Sequence, residues 1–186
     1  MCLKDEDLLF NKILNVLKNK GVVVMPCDTI YGFLGIAPWT QKIIQQIKGR
    51  DDNKPFLILI RKEWILQYTS FKIDRYFLDK WPGPLTIIVP DKKKSTVALR
   101  VPNDTRLLKL LGKLNQPLFS TSVNYIGKPA LNKSKEIKTE FGDKIDLFVD
   151  EGDLSSNTSS TIIDLCTKPY RMIRQGLCKI DPDKLE

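Results

Sequence analysis

The sequence predicts one α/β domain with a twisted mixed β-sheet and flanking helices, and three observations indicate this class. Residues 22–25 (VVVM) and 56–60 (FLILI) are continuous apolar runs, which are typical of strands covered on both faces. Residues 6–19 and 40–48 repeat apolar side chains at helical spacing. Residues 85–89 (LTIIV) and 96–101 (TVALRV) flank the charged turn DKKK, and this hairpin argues against a purely alternating, doubly wound sheet.

The elements follow in chain order from the same patterns. The first helix ends at Gly21, and Pro26 stops the ladder of the first strand. Residues 62–81 look helical, in one or two pieces, up to the WPGP corner. Ser134 is expected to cap a helix that reaches about residue 141. Further expectations are a helix near residues 105–114 and strands at residues 118–120, 147–149, 161–165 and 171–173.

Length and composition favour a globular protein of one domain, residues 1–186. Of these residues 42% are hydrophobic and 28% are charged. No apolar run approaches the roughly 20 residues of a membrane span, and the acidic N-terminus has no secretory h-region. Four scattered cysteines without a CxxC pair, in a chain without histidine, make a zinc site improbable. Reduced thiols and a cytoplasmic location are the simplest interpretation.

The lack of histidine also narrows the chemistry. It excludes a Ser-His-Asp triad, a Cys-His dyad and a histidine general base. Catalysis would have to use positioning, Lys and Arg charge, or a carboxylate. The net charge of +8 and the pI of about 9.3 favour anionic partners such as nucleotides, phosphates or RNA. A lysine-rich solvated surface explains the charge equally well.

Several polar segments lie at the ends of apolar strands or helices, which is where ligands bind in open α/β sheets. Lys48 and Arg50 lie on either side of Gly49, so on a turning loop both could reach one anion, with Lys54 nearby. Arg100 alternates with apolar neighbours and could hold a carboxylate from the opposite face of its strand. The alternatives are a solvated charged loop and an exposed arginine on an edge strand.

Hydroxyl and amide side chains form a second group. Ser120, Ser122 and Asn124 share one side if the chain stays extended, and they could bind phosphate or ribose without charge. The segment PCDTIYG (26–32) offers Thr29 and Tyr31, with a simple Asp turn as the alternative. The segment WPGPLT (81–86) indicates a stiff structural corner. Two late segments, SSTIIDL (159–165) and IRQG (173–176), add further hydroxyls and an arginine.

These segments occur together in the order and spacing of the Sua5/YciO/YrdC family, which the chain resembles from about residue 21 to 176. The resemblance is closest to the short, single-domain threonylcarbamoyl-AMP synthases. It implies a YrdC-like (DHBP synthase-like) fold with a concave basic face. It also implies that L-threonine, bicarbonate or CO2, and ATP with Mg²⁺ give threonylcarbamoyl-AMP and pyrophosphate, for the t6A37 modification of tRNA. Further implied partners are tRNA itself and, transiently, the threonylcarbamoyl-transfer complex; no membrane and no protein-bound metal are implied.

The resemblance also implies roles for individual residues. Catalytic charge falls on Lys48 and Arg50. Threonine binding falls on Thr29, Tyr31 and Arg100. ATP binding falls on Lys54, Ser120, Ser122, Asn124, Ser160 and Arg174.

Two departures from the family pattern lie beside the expected threonine pocket. Cys27 replaces the usual threonine, and YGFLGIAP is one residue longer than the usual segment. A buried inert thiol and a reactive low-pKa thiol are both open for Cys27. The competing functions are a YciO-like RNA-binding module without adenylation and, more weakly, a detached piece of a hydrogenase-maturation carbamoyltransferase.

Overall fold

The computed structural model describes residues 3–49, 56–93, 95–155 and 158–186. The helices are α1 (Leu3–Lys18), α2 (Gln41–Lys48), α3 (Ile65–Tyr68), α4 (Arg75–Leu78), α5 (Thr105–Leu114) and α6 (Ser134–Phe141). The strands are β1 (Val23–Pro26), β2 (Tyr31–Ile36), β3 (Leu57–Leu59), β4 (Leu85–Pro90), β5 (Thr96–Arg100), β6 (Leu118–Ser122), β7 (Leu147–Phe148), β8 (Thr161–Asp164) and β9 (Arg171–Arg174). No helix within these ranges has the length and apolar character that a membrane span requires.

The described strands form one mixed sheet in the order β7-β1-β2-β6-β3-β5-β4-β8-β9. The pairs β1/β7, β3/β5 and β4/β8 are parallel, and the other pairs are antiparallel. The predicted α/β class with a mixed sheet is therefore confirmed. The predicted hairpin is also present, because β4 and β5 pair directly around the charged turn.

The apolar side chains form two buried clusters. The larger contains Ile13 and Leu17 of α1 together with four leucines of α5, and α1 also packs on β1 and β2. The smaller contains Ile44 and Ile47 of α2, Val24 of β1, two aromatic side chains of β2, and Ile137 and Phe141 of α6. The apolar spacing in the sequence thus marked the covered faces of α1 and α2 correctly, because that spacing is what a one-sided helix requires.

The strand β2 is absent from the sequence prediction, which treated residues 26–32 as a polar loop. Two glycines, Gly32 and Gly35, caused the error because glycine ordinarily weakens a strand. In the structure a Cβ on Gly35 would lie 2.3 Å from Thr40 Oγ1, so glycine serves close packing against the start of α2. Pro26 is the last residue of β1 and pairs with Tyr31, so the ladder of the first strand ends there as predicted.

Residues 62–81 are helical in two short pieces, in line with the two-piece alternative: a 3₁₀ turn that continues into α3, and the separate helix α4. Two other local predictions need correction. Ser134 is the first residue of α6 and not its cap, and its backbone N–H donates to Asp153 Oδ1 at 2.9 Å. The left-handed residue that follows α1 is Lys20, with φ of 62°, and Gly21 N–H donates to Val16 O at 3.0 Å.

Candidate functional site

A cavity of about 680 Å³ lies on the sheet and is bordered by residues from seven strands and their loops. Its volume is within the range of small-molecule sites. Strand alternation builds the wall: Leu85 and Ile87 of β4 enter the apolar core, whereas Thr86 and Ile88 between and after them face the cavity. The same alternation in β5 places Arg100 on the wall. Polar groups therefore reach the cavity while the strands remain anchored in the core.

Arg100 is the most enclosed cation on this wall. Its guanidinium Nη2 donates to Asp28 Oδ1, and Nε donates to Gly83 O at 3.2 Å. The side chains of Arg100 and Asp28 are only 4% and 7% exposed, respectively. Asp28 Oδ2 accepts a hydrogen bond from Asn103 N–H at 3.0 Å. The sequence placed Arg100 correctly on a strand face, but it did not identify its acidic partner.

Ser160 and Arg174 meet on another side of the cavity. Arg174 donates through Nε and Nη2 to Ser160 O at 3.0 and 2.8 Å, and Ser160 Oγ lies 2.9 Å from Thr86 Oγ1. Burial and, secondly, the nearby charge of Arg100 lower the pKa of Arg174. A Cβ on Gly176 would lie 2.2 Å from Ser159 O, so this close approach requires glycine. The buried guanidinium of Arg100 and the more exposed one of Arg174 thus present positive charge to one space, which suits an anionic ligand.

A lysine cluster supports the loop that follows β6. Lys48 is 3% exposed, and its Nζ donates to Ser122 O at 2.6 Å, to Asn124 O at 3.0 Å and to Asn124 Oδ1 at 2.8 Å. Ser122 Oγ also donates to Asn124 Oδ1 at 2.6 Å. Ser122 borders the 680 Å³ cavity, whereas Lys48 does not and contacts the loop residues from the other side. Asn124 lines a second cavity of about 610 Å³ next to α6.

The two residues predicted to line the threonine pocket beside Arg100 both reach the cavity, but the hydroxyl of one of them is bound within the protein. Thr29 and Tyr31 both border the cavity, as Ser120 does. The Tyr31 hydroxyl, however, donates to Gly152 O at 2.8 Å and accepts from Glu151 N–H at 3.0 Å, so it joins β2 to residues 151–152.

Two predicted cations, Arg50 and Lys54, lie outside the described residues and stay predictions. Of the other nine site residues, Lys48 and Asn124 do not border the 680 Å³ cavity, and the remaining seven do. Those seven are Thr29, Tyr31, Arg100, Ser120, Ser122, Ser160 and Arg174.

Cys27 also borders the cavity. Burial, and secondly the charge of Asp28, raises the pKa of its thiol to about 12. A raised pKa favours the inert thiol over the low-pKa alternative, because a thiolate is the reactive form.

The sequence missed Thr86 and the pair formed by Asp164 and Arg171 on the cavity wall. Alternation within LTIIV would have found Thr86, since its neighbours Leu85 and Ile87 are apolar. Asp164 is the one carboxylate that the described residues place on this wall, and Arg171 Nη2 donates to it at 2.7 Å. Within the described ranges no cluster of three acidic or thiol side chains could hold a metal ion. The wall therefore fits anions better than a dedicated cation site.

Comparison with known proteins gives a consistent set of relatives. The family model Sua5_yciO_yrdC, described as Telomere recombination, matches residues 15–176. The threonylcarbamoyl-AMP synthase of Coxiella burnetii is 32% identical over 170 residues, which cover 82% of this chain and 90% of that protein. The threonylcarbamoyl-AMP synthase of Pyrococcus abyssi is 30% identical over 176 residues, which cover 86% of this chain but 52% of that protein. This chain therefore spans about half the length of that relative.

Solved structures resemble the same fold. P. abyssi Sua5 complexed with L-threonine superposes with a TM-score of 0.78 at 28% identity, covering 90% of this chain and 54% of that one. E. coli YciO superposes with a TM-score of 0.79 at 25% identity, covering 94% and 92% of the two chains.

Proposed function

The chain belongs to the Sua5/YciO/YrdC family, and from this premise we propose that it is a threonylcarbamoyl-AMP synthase. The reaction would join L-threonine, bicarbonate or CO2, and ATP to give threonylcarbamoyl-AMP and pyrophosphate. Relatives with that name, at 30% to 32% identity, support the assignment. We further propose that residues 1–186 act as one domain of this kind.

The observation that carries the proposal is the convergence of distant segments on one cavity. Arg100 of β5, Ser120 and Ser122 of β6, and Arg174 with Ser160 all border the same 680 Å³ space. Hydroxyls and guanidiniums suit the oxygens of a triphosphate and of an amino-acid carboxylate. The binding of L-threonine by the related P. abyssi Sua5 agrees with this class of ligand.

The chemistry requires little from a protein base. The threonine amine adds to CO2 and loses a proton, which gives a carbamate. A carbamate oxygen then forms a bond to the α-phosphorus of ATP, and the bond to the departing pyrophosphate breaks in line. Such phosphoryl chemistry depends on positioning and on neutralised charge. A chain without histidine is therefore compatible with it.

We assign the substrate carboxylate to Arg100, with Thr29 and Tyr31 shaping the wall beside it. We assign the phosphates and the nucleoside to Lys54, Ser120, Ser122, Asn124, Ser160 and Arg174.

Lys48 and Arg50 would neutralise the carbamate and the α-phosphate. For Lys48 this role requires the ammonium to exchange one of its present acceptors, such as Ser122 O, for a ligand oxygen.

ATP would enter as its magnesium complex, with the ion held by phosphate oxygens and water. This fits a wall whose one described carboxylate, Asp164, is already bound by Arg171. The product would pass to a threonylcarbamoyl-transfer complex that modifies tRNA. A cytoplasmic site of action follows from those partners as part of the same proposal.

The test is pyrophosphate release with ATP, bicarbonate and L-threonine. We expect release that depends on threonine and that Arg100→Ala reduces strongly. Lys42→Ala is the control, because Lys42 is an exposed residue of α2 away from the cavity wall. Absence of threonine-dependent release from the unmodified chain would refute the proposed activity.

A second candidate is an RNA-binding module without adenylation. The similarity to E. coli YciO over nearly the whole of both chains, together with the net charge of +8, favours it. The same assay separates the two functions. Salt-sensitive tRNA binding without any threonine-dependent pyrophosphate would support the binding module.

A further inference from the structure

Asp28 is the residue from which a further role can be inferred. It is absent from the residues bordering the cavity, whereas its partner Arg100 borders it. Both Asp28 oxygens are engaged, Oδ1 by Arg100 Nη2 and Oδ2 by Asn103 N–H. The carboxylate therefore lies behind the guanidinium as seen from the cavity, and it also joins residue 103 to the loop that follows β1.

Arg100 borders the cavity and keeps donors that its contacts with the described residues do not use. Nε is occupied by Gly83 O and one N–H of Nη2 by Asp28. Nη1 donates to no described residue, and no buried side-chain nitrogen in the described part of the chain lacks a partner. Nη1 is therefore open to the cavity. With the second N–H of Nη2 it forms the planar fork that binds a carboxylate through two hydrogen bonds.

We propose that Asp28 is a positioning residue that holds this fork in place for the carboxylate of the amino-acid substrate. The inference rests on the proposed function, because it assumes an amino acid at Arg100. A flexible arginine would lose side-chain freedom on binding, and Asp28 removes that cost in advance. Burial of the pair on both sides makes the fixed geometry persistent, since an unpaired buried charge is strongly unfavourable.

The opposite electrostatic effect gives the inference a clear test. Asp28 carries the same charge as the substrate carboxylate, so repulsion alone would make its removal strengthen threonine binding. If Asp28 instead positions Arg100, its removal should weaken threonine binding. The direction in which the threonine KM changes therefore shows whether Asp28 mainly positions Arg100 or mainly repels the substrate carboxylate.

The experiment compares Asp28→Ala and Asp28→Asn with the unmodified chain in the pyrophosphate assay. We expect Asp28→Ala to raise the threonine KM by about 10-fold or more, with kcat and the ATP KM changed by less than about 2-fold. Asp28→Asn keeps one acceptor and should have a smaller effect. Glu151→Gln is the matched control, since it breaks an ion pair with Arg106 away from the cavity wall. An unchanged or lowered threonine KM overturns the inference while leaving the proposed function intact.

A second measurement does not depend on activity. Hydrogen exchange of the Arg100 Nε–H, assigned by its loss in Arg100→Lys, reports how firmly the guanidinium is held. We expect slow exchange in the unmodified chain and exchange at least about 10-fold faster in Asp28→Asn. Equal exchange in both proteins refutes the positioning role. If the unmodified chain shows no threonine-dependent turnover, the proposed function fails, and this measurement still decides whether Asp28 holds Arg100.

Discussion

Replacing Tyr31 by phenylalanine tests whether its hydroxyl serves the ligand or the fold. The hydroxyl donates to Gly152 O and accepts from Glu151 N–H, two residues that lie 120 or more positions further along the chain. The ring itself is fully buried in the smaller apolar cluster. Tyr31→Phe therefore removes two hydrogen bonds and leaves the ring packing in place.

The expected change in the free energy of unfolding follows from the two lost hydrogen bonds. Each contributes about 0.5–1.5 kcal/mol net, so the free energy of unfolding should fall by about 2 kcal/mol. For a chain of this size that corresponds to a Tm lower by roughly 4–8 °C. The threonine KM should change by less than about 2-fold, since the hydroxyl is already bound within the protein.

Urea unfolding and the pyrophosphate assay measure the two quantities separately. Tyr125→Phe is the control: Tyr125 is partly exposed, its hydroxyl contacts Lys144 Nζ at 2.5 Å and Glu140 O, and its loss should change stability by less than about 0.5 kcal/mol. An unchanged unfolding free energy together with a raised threonine KM would show that the Tyr31 hydroxyl binds substrate, and the structural explanation would be wrong.

Four further predictions follow. Lys48→Ala should abolish threonine-dependent pyrophosphate release, and the loss of three hydrogen bonds should lower the free energy of unfolding in urea by about 3 kcal/mol. Arg50→Ala should abolish release in a chain that stays folded. Normal turnover by either variant contradicts the assignment. Ser160→Ala should raise the ATP KM about 10-fold with little change for threonine, because it removes the hydroxyl that contacts Thr86 Oγ1 and Arg174 Nη2 while Arg174 still donates to the backbone oxygen of residue 160. A selective change in the threonine KM would contradict this prediction. The Cys27 thiol has a pKa of about 12 against an ordinary 9.0, so mass spectrometry should show its labelling by iodoacetamide at pH 8 to be about 1,000-fold slower in the folded than in the unfolded chain. Its contribution to stability is present below pH 9 and should be lost as the pH rises toward 12. Equal labelling rates would refute the burial argument. Asp104→Ala should lower the unfolding free energy by about 1 kcal/mol, because it removes the cap on Leu107 N–H; an unchanged value would show that the cap is replaced by water.

Much of the candidate site was accessible from local patterns. Arg100 was found because it alternates with apolar residues on its strand, and Ser120 and Ser122 because they end a strand. For Asp28 the local pattern indicates only a turn residue. Its partner Arg100 lies 72 positions away, and no local pattern reports a contact over that separation.

The amino-acid sequence by itself determined the α/β class, the covered faces of α1 and α2, and the exclusion of histidine chemistry. These properties depend on residue type and on spacing within one element, which periodicity measures directly. Only the tertiary structure decided that β2 is a strand, that Tyr31 joins it to residues 151–152 and that Asp28 lies behind Arg100. These features depend on strand register and on contacts between distant segments. The free energy of those contacts is distributed over the whole fold, so no short stretch of sequence carries it.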